Sequence, residues 1–368
     1  MDTPATLQLS YNWDDPSISA RQLLYAVFPE WKNSANNVEI KQLTEGTTNK
    51  LFKIVNKAPS VADGDETVLL RVYGAGTDVL VDREREFSTH CLLAQHGLAP
   101  PVLARFENGL FYRFVPGRPC EPEDLGKEAI WRGVARRLGE WHAILPTTVS
   151  GGEKGKHPSI WTVLQKWISI LPEDKAPKGI LQIELDRLME KLGVADSWGA
   201  EGMVLGHCDL LSANVIVHQR TITQPTADDI ETVSFIDYEY SLPCPAAFDL
   251  ANHFSEWPGF ACNYALLPSR SVRRNFLREY VHSYNTHRRH PHPKEEEEEM
   301  VIKLGKEVDT LRGVPGFFWG VCALVQATAP AIVMDMDAAK YAHMRLAEYW
   351  EWRAGAESER EKRWAAEV

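Results

Sequence analysis

The hydrophobic period of this chain changes near residue 117, and that change divides what it can fold into. Up to that point strand-like runs dominate: VEIKQLTEG from Val38, NKLFKIVN from Asn49 and ETVLLRVYG from Glu66. The run PVLARFENGLFYRFVPG then reads as a hairpin with Asn108-Gly109 at its turn. Residues 17–31 carry Leu23, Leu24, Val27 and Phe28 at helical spacing. A second helix is predicted after Thr77-Asp78, read as its cap, with Phe87, Cys91 and Ala94 on one face and Gly97 as the stop. Beyond residue 118 the pattern is mainly helical: 123–145, 158–170, 180–193, 271–288, 298–312, 315–328 and 337–365. Short strand-like pieces, MVLGH, NVIVH and TVSFID, interrupt it. The expectation is an α+β chain with a small antiparallel-sheet lobe over 1–117 and a larger helical lobe over 118–368. A length of 368 residues suits two such parts better than one.

Charge and cysteine usage exclude several function classes. Forty basic residues against 51 acidic ones leave a formal charge of −11, with no basic stretch to neutralise a run of phosphates. No nucleic-acid partner is expected, whereas a cationic small molecule suits the balance. Six scattered cysteines without a CxxC pair read as reduced thiols of a cytoplasmic protein. The first residues, MDTPATLQLSYNWDD, lack the basic and apolar segments of an export signal. No apolar run of about 18 residues predicts membrane insertion. The connector HRRHPHPKEEEEE reads as a solvated charged loop, since nothing near its histidines has metal-ligand spacing. Oligomeric state is left open, a homodimer included.

The chemistry is carried by GHCDLLSANVIV. His207, Asp209 and Asn214 have the H-x-D-x-x-x-x-N spacing of a phosphoryl-transfer loop, and His207 with Asp209 form its catalytic candidates. Such chemistry needs an acceptor beside the substrate hydroxyl, the part of Asp209. It also needs an oxygen ligand for Mg²⁺ a few residues on, the part of Asn214. Asp237 follows 23 residues after Asn214 at the end of SFID, where a strand delivers an oxygen to the edge of an open loop. Glu239, two residues further, is a candidate for a second ion or its water.

The first lobe offers residues for ATP. LTEGTTNKL lies between two strands, so Gly46 and the amides of Thr47, Thr48 and Asn49 could cap phosphates, although an ordinary hairpin turn would use the same residues. Arg71 interrupts the apolar strand VLLRVYG, and a charge there needs a partner. Phosphate oxygens and Glu86 of the next helix are both candidates; an edge strand facing solvent is the alternative.

The ordered set GTTNKL, LLRVYG, DREREF, GLAPPV, HCDLLSANV, IDYEYS, AFDLANHFSEW and FFWG resembles the choline/ethanolamine kinase family from about residue 40 to 353. Within it, the glycine loop ending Thr-Asn-Lys and the helix opening Asp-Arg-Glu are more similar to ethanolamine kinases than to choline kinases. The resemblance implies a bilobed, protein-kinase-like fold and an ATP- and Mg²⁺-dependent small-molecule kinase of phospholipid biosynthesis. It implies that Asp209 is the base, that Asn214 and Asp237 hold magnesium, and that Arg71 with Glu86 serves ATP. Asp249 would brace the catalytic loop. Tyr240, Glu256, Trp257 and the aromatic pair at Trp319 would receive the amine of an amino alcohol, ethanolamine or choline; helix packing is the alternative for the Phe318–Trp319 pair.

One departure bears on that pocket. Where the family carries W-x-x-W, this chain has Trp319-Gly320-Val321-Cys322. A missing aromatic wall handicaps a quaternary amine more than a primary one, which can hydrogen-bond. Among rivals, aminoglycoside-type phosphotransferases share the loop but lack NHFSEW. A protein kinase would need an activation loop, and Asp249 comes only 12 positions after Asp237. A pseudokinase scaffold would have damaged one of the three positions Asp209, Asn214 and Asp237, and all are intact.

Overall fold

Alternation along the early strands decides which face of their sheet is dry. The structure is a computed structural model that describes residues 4–43, 49–58, 66–147, 159–192, 203–218, 229–329 and 337–367. Gly46, Thr47, Thr48 and most of the insertions at 57–66 and 219–231 lie outside these residues. The described residues fall into two compact units, one holding Met1–Asp78 and His90–Val115, the other Val79–Thr89, Pro116–Ala329 and Asp337–Val368.

The first unit is built on β1 (Ala5–Thr6), β2 (Val38–Leu43), β3 (Asn49–Asn56), β4 (Glu66–Tyr73), β5 (Val102–Phe106) and β6 (Gly109–Arg113). They lie in the order β1-β5-β6-β4-β3-β2, antiparallel except for the short β1–β5 pair. Phe52, Ile54, Val68, Leu70 and Val72 share one face, which Leu23 and Leu24 of α1 (Pro16–Val27) and Trp31 bury. Each such leucine contributes about 1.5–3 kcal/mol by leaving water. The predicted helix over 17–31 ends early because Pro29 disfavours helical backbone before it; a 3₁₀ segment, Pro29–Asn37, follows. Arg71 has the opposite parity to Leu70 and Val72, so it faces away from this core while still buried. The hairpin turn falls one residue earlier than predicted, with Phe106 opposite Gly109. A β-carbon at Gly109 would sit 2.1 Å from the Arg71 carbonyl oxygen, so this strand position requires glycine.

Helix α2 (Arg83–Gln95) also begins later than its predicted cap. Thr77–Val79 makes one 3₁₀ turn, and Leu80 and Val81 are both buried, which an extended pair achieves and one helix face does not. The cap is Asp82, whose Oδ1 accepts the Arg85 amide at 3.0 Å.

The second unit holds α3 (Glu128–Ile144), α4 (Ile160–Ile170), α5 (Lys178–Leu192), α6 (Ala246–Glu256), α7 (Arg270–His287), α8 (Glu297–Leu311), α9 (Val314–Thr328), α10 (Ala338–Ala354) and α11 (Glu359–Ala365). The single helix predicted over 337–365 is broken at Gly355, whose φ of +66° closes α10 with bonds to the Glu351 and Trp352 carbonyls. Helix α3 packs along α7, and α9 along α10. Two small sheets hold the chemistry. β7 (Arg118–Pro119), β9 (Val215–Val217) and β10 (Val233–Phe235) form one; β8 (Met203–Gly206) and β11 (Leu242–Pro245) form the other. β11 escaped the sequence reading because Pro243 and Pro245 argue against a strand, yet it pairs along only one edge. The expected α+β class holds. No single helix among the described residues is long and apolar enough to cross a membrane, and all six cysteines are free thiols.

Candidate active site

The site starts at the end of β8. A β-carbon on Gly206 would lie 2.4 Å from Cys244 Sγ and 3.1 Å from Asp249 Cγ, so glycine lets α6 approach the loop that follows. That loop turns sharply at Cys208, a non-glycine residue at φ +60°. Helix α6 pays for the turn with side chains one helical turn apart. Asp249 accepts the amides of His207 and Cys208 at 2.9 and 2.7 Å; Asn252 donates to the Cys208 carbonyl at 3.0 Å; His253 Nδ1 binds the Leu210 carbonyl at 2.8 Å. His142 Nε2 lies 3.0 Å from Asp249, and Tyr280 holds the other ring nitrogen of His142 at 2.8 Å. Burial pushes the Asp249 carboxyl up, but these donors outweigh it and hold the group below the usual carboxylate range. Asp249 is thus the internal brace the sequence suggested.

His207 is a brace as well. Its Nδ1 receives the Asp209 amide at 3.3 Å, so its proton sits on Nε2, 3.0 Å from the Ile236 carbonyl. Burial pushes its pKa down to about 4 against the pull of Asp249 and that carbonyl. The ring is neutral and ties the catalytic loop to the strand leading into Asp237.

Sheet register brings the ion candidates together. Val215 faces Phe235, and the Ile236 amide donates to the Asn214 carbonyl at 3.0 Å, so Asn214 and Asp237 flank the same end of β9 and β10. Asn214 Nδ2 donates to the Asp209 carbonyl at 2.7 Å and lies 3.4 Å from Asp209 Oδ2. Its nitrogen is turned to the loop, which leaves its oxygen as the atom on offer to a cation. Asp237 adopts φ +65°. Asp209 is buried, and desolvation raises its carboxyl well above the ordinary range; the negative charges of Asp237, Glu256 and Glu239 push it further the same way. Oxygen ligands crowded into mutual repulsion fit a hard divalent cation.

Glu239, a candidate ion ligand, is occupied differently: Arg83 Nη1 reaches its Oε2 at 3.0 Å and Glu86 Oε2 at 2.8 Å. Arg71 and Asn49 lie in the first unit, Arg71 in β4 and Asn49 at the start of β3.

Aromatic side chains gather beside this acidic group. Tyr240 meets Trp319 edge-on with ring centroids 5.1 Å apart, and Trp319 Nε1 donates to Asn252 Oδ1 at 2.8 Å. The Tyr240 hydroxyl lies 3.8 Å from Cys322 Sγ, and Trp167 stands edge-on to Tyr240 at 6.3 Å. Burial raises the Tyr240 pKa well above normal, with Cys322, Glu239 and Asp209 adding to it. Glu256, the last residue of α6, pairs with Arg345 at 3.0 Å. Trp257 is buried, its Nε1 donating to His253 Nε2 at 3.2 Å. Sequence reading missed Arg83, His142, Tyr280, Asn252, His253 and Arg345. Asn252 and His253 stood in the quoted AFDLANHFSEW, three and four residues after Asp249, and Arg83 in DREREF, but none of them had been given a role.

The model of the choline/ethanolamine kinase family matches residues 40–350. A probable ethanolamine kinase of Nematostella vectensis is 32% identical over 92% of this chain and 93% of its own length. Ethanolamine kinase 1 of Mus musculus is 32% identical over 90% of this chain and 88% of its own. The solved structure of an ethanolamine kinase from Plasmodium vivax superposes with a TM-score of 0.73 at 24% identity, covering 92% of this chain and 89% of that one; it shows the shared protein-kinase-like fold. The chain belongs to the choline/ethanolamine kinase family of ATP-dependent kinases.

Proposed function

We propose that the chain transfers the γ-phosphoryl group of ATP to the hydroxyl of ethanolamine, giving phosphoethanolamine and ADP for phospholipid synthesis in the cytoplasm. One observation carries the reading: Asp209 lies against Asn214 in a braced loop, within the field of Asp237, Glu239 and Glu256. Even with Arg83 on Glu239 and Arg345 on Glu256, so many carboxylates around one buried aspartate favour cations, and this reaction brings two, a metal ion and an ammonium group.

Asp209 is the base. Its raised affinity for a proton, set by burial and its acidic neighbours, suits a group that must take one from an alcohol. The brace from α6 holds it still, and positioning matters more than base strength when the transition state is loose. Asn214 and Asp237 would hold magnesium, which when bound offsets charge on the nucleotide phosphates. The nucleotide role of Gly46, Thr47, Thr48, Asn49, Arg71 and Glu86 rests on the family resemblance and on Arg71 being a buried cation. Tyr240 and Trp319 supply aromatic faces for the amine, Glu256 a carboxylate shared with Arg345, and Trp257 backs them through His253. Cys322 gives the Tyr240 hydroxyl only a weak sulfur partner, so that hydroxyl can turn to a primary ammonium; a quaternary one has no N–H to offer.

ADP release measured with ethanolamine, choline and no acceptor tests the proposal. Ethanolamine is expected to be the better substrate at equal concentration. A preference for choline above about tenfold, worth 1.4 kcal/mol in transition-state binding, overturns the choice of amine; turnover of neither overturns the reaction.

A further inference from the structure

Arg83 had no role in the sequence reading, yet it joins two acids 153 positions apart in the chain, Glu86 and Glu239. Both carboxylates are 3% exposed. The shared donor is a single nitrogen, Nη1, at 2.8 Å from Glu86 Oε2 and 3.0 Å from Glu239 Oε2. Buried acids in this position need a cation, and breaking such a pair exposes the survivor's full charge to its neighbours. The neighbour of Glu239 is the ion-binding turn, for Asp237 stands two residues before it at φ +65°. Glu239 is also one of the charges that Asp209 feels. A carboxylate so close to a divalent ion would be drawn to it unless something stronger held it back.

We propose that Arg83 is a positioning residue that withholds Glu239 from the ion, so that Asn214 and Asp237 take the metal and the remaining coordination stays open to nucleotide phosphates. The inference rests on the magnesium reading above. Its geometry lies within one unit of the chain, since Val79–Thr89 and Pro116–Ala329 belong together.

The test is Mn²⁺ binding to the nucleotide-free protein, followed by its electron paramagnetic resonance signal, alongside kcat and KM. Arg83→Gln is expected to tighten Mn²⁺ binding at least about fivefold, the lower end of a site-to-site coupling, while kcat falls and KM for the amine stays put. Arg83→Gln combined with Glu239→Gln is expected to return Mn²⁺ affinity to that of the parent. Glu239→Gln alone, which keeps Arg83, should leave the affinity within about twofold, the additivity error of a residue that does not touch the ion. A several-fold loss in that single variant makes Glu239 a ligand and overturns the proposal. So does an Arg83→Gln protein that melts lower but binds Mn²⁺ as the parent does. Asp237→Asn separates the two layers: if it keeps parental binding, the ion reading falls and the Arg83 role with it. If binding is lost there but unmoved by Arg83→Gln, only the role of Arg83 falls.

Discussion

Two sets of polar side chains adjoin the catalytic loop in the second unit and live under opposite conditions. Asp249, Asn252 and His253 on α6 face one side of the catalytic loop, and each meets a matching backbone group. Asp209 instead feels the charges of Asp237, Glu239 and Glu256, of which Glu239 is held by Arg83 and Glu256 by Arg345. Burial raises both Asp209 and Asp249; donors reverse the effect at Asp249 and neighbouring acids compound it at Asp209. A satisfied network positions, and a frustrated one binds.

The sharpest way to break the contrast is to remove one acid from each side. Asp209→Ala is expected to cut kcat by about 10²–10⁴-fold, the usual worth of a positioned base, yet to melt no lower than the parent, because it relieves repulsion. Equal losses of activity and stability in that variant would erase the distinction. Asp249→Ala should do the reverse in the first instance, lowering stability by about 3–5 kcal/mol as three buried donors lose their acceptor, read by urea unfolding. A change below about 1 kcal/mol would mean that the loop is held by something else.

The effect spread over the widest range of conditions is a pH dependence. Burial pushes His207 and His253 down to about 4, with the carbonyls of Ile236 and Leu210 opposing it, so both are neutral when folded and take a proton more readily when unfolded. Their contribution is complete above about pH 6.5 and is lost as pH falls from there towards 4, at up to about 1.4 kcal/mol per pH unit for each ring. Protonation of Asp209 and Glu256, whose pKa values are raised, offsets part of this. Proton NMR of the imidazoles checks the assignment, since neither ring should titrate above about pH 5; a midpoint near 6.5 for His207 would remove it from the satisfied network.

How far the sequence could be read follows the range of each interaction. His207, Asp209 and Asn214 lie within eight consecutive residues, and their spacing alone placed them in one loop. Asp249, Asn252 and His253 share a helix face and were visible as a motif, though only Asp249 was understood. Arg83, His142 and Arg345 reach partners 156, 107 and 89 positions away, and nothing local in a sequence marks such pairs. The fold shows the same limit. Strand alternation and helical period located most elements, whereas β11 and the break at Gly355 depend on pairing and capping that period does not encode.

The burial of the cysteines has a consequence for how this enzyme weathers its surroundings. All six thiols have pKa values raised chiefly by desolvation, Cys120 to about 11 and Cys262 to about 12. Peroxides and alkylating agents attack the deprotonated sulfur. With Cys208 beside its base and Cys322 beside its amine pocket both buried and held as thiols, the protein presents little thiolate there, and alkylating agents should leave both positions largely unmodified.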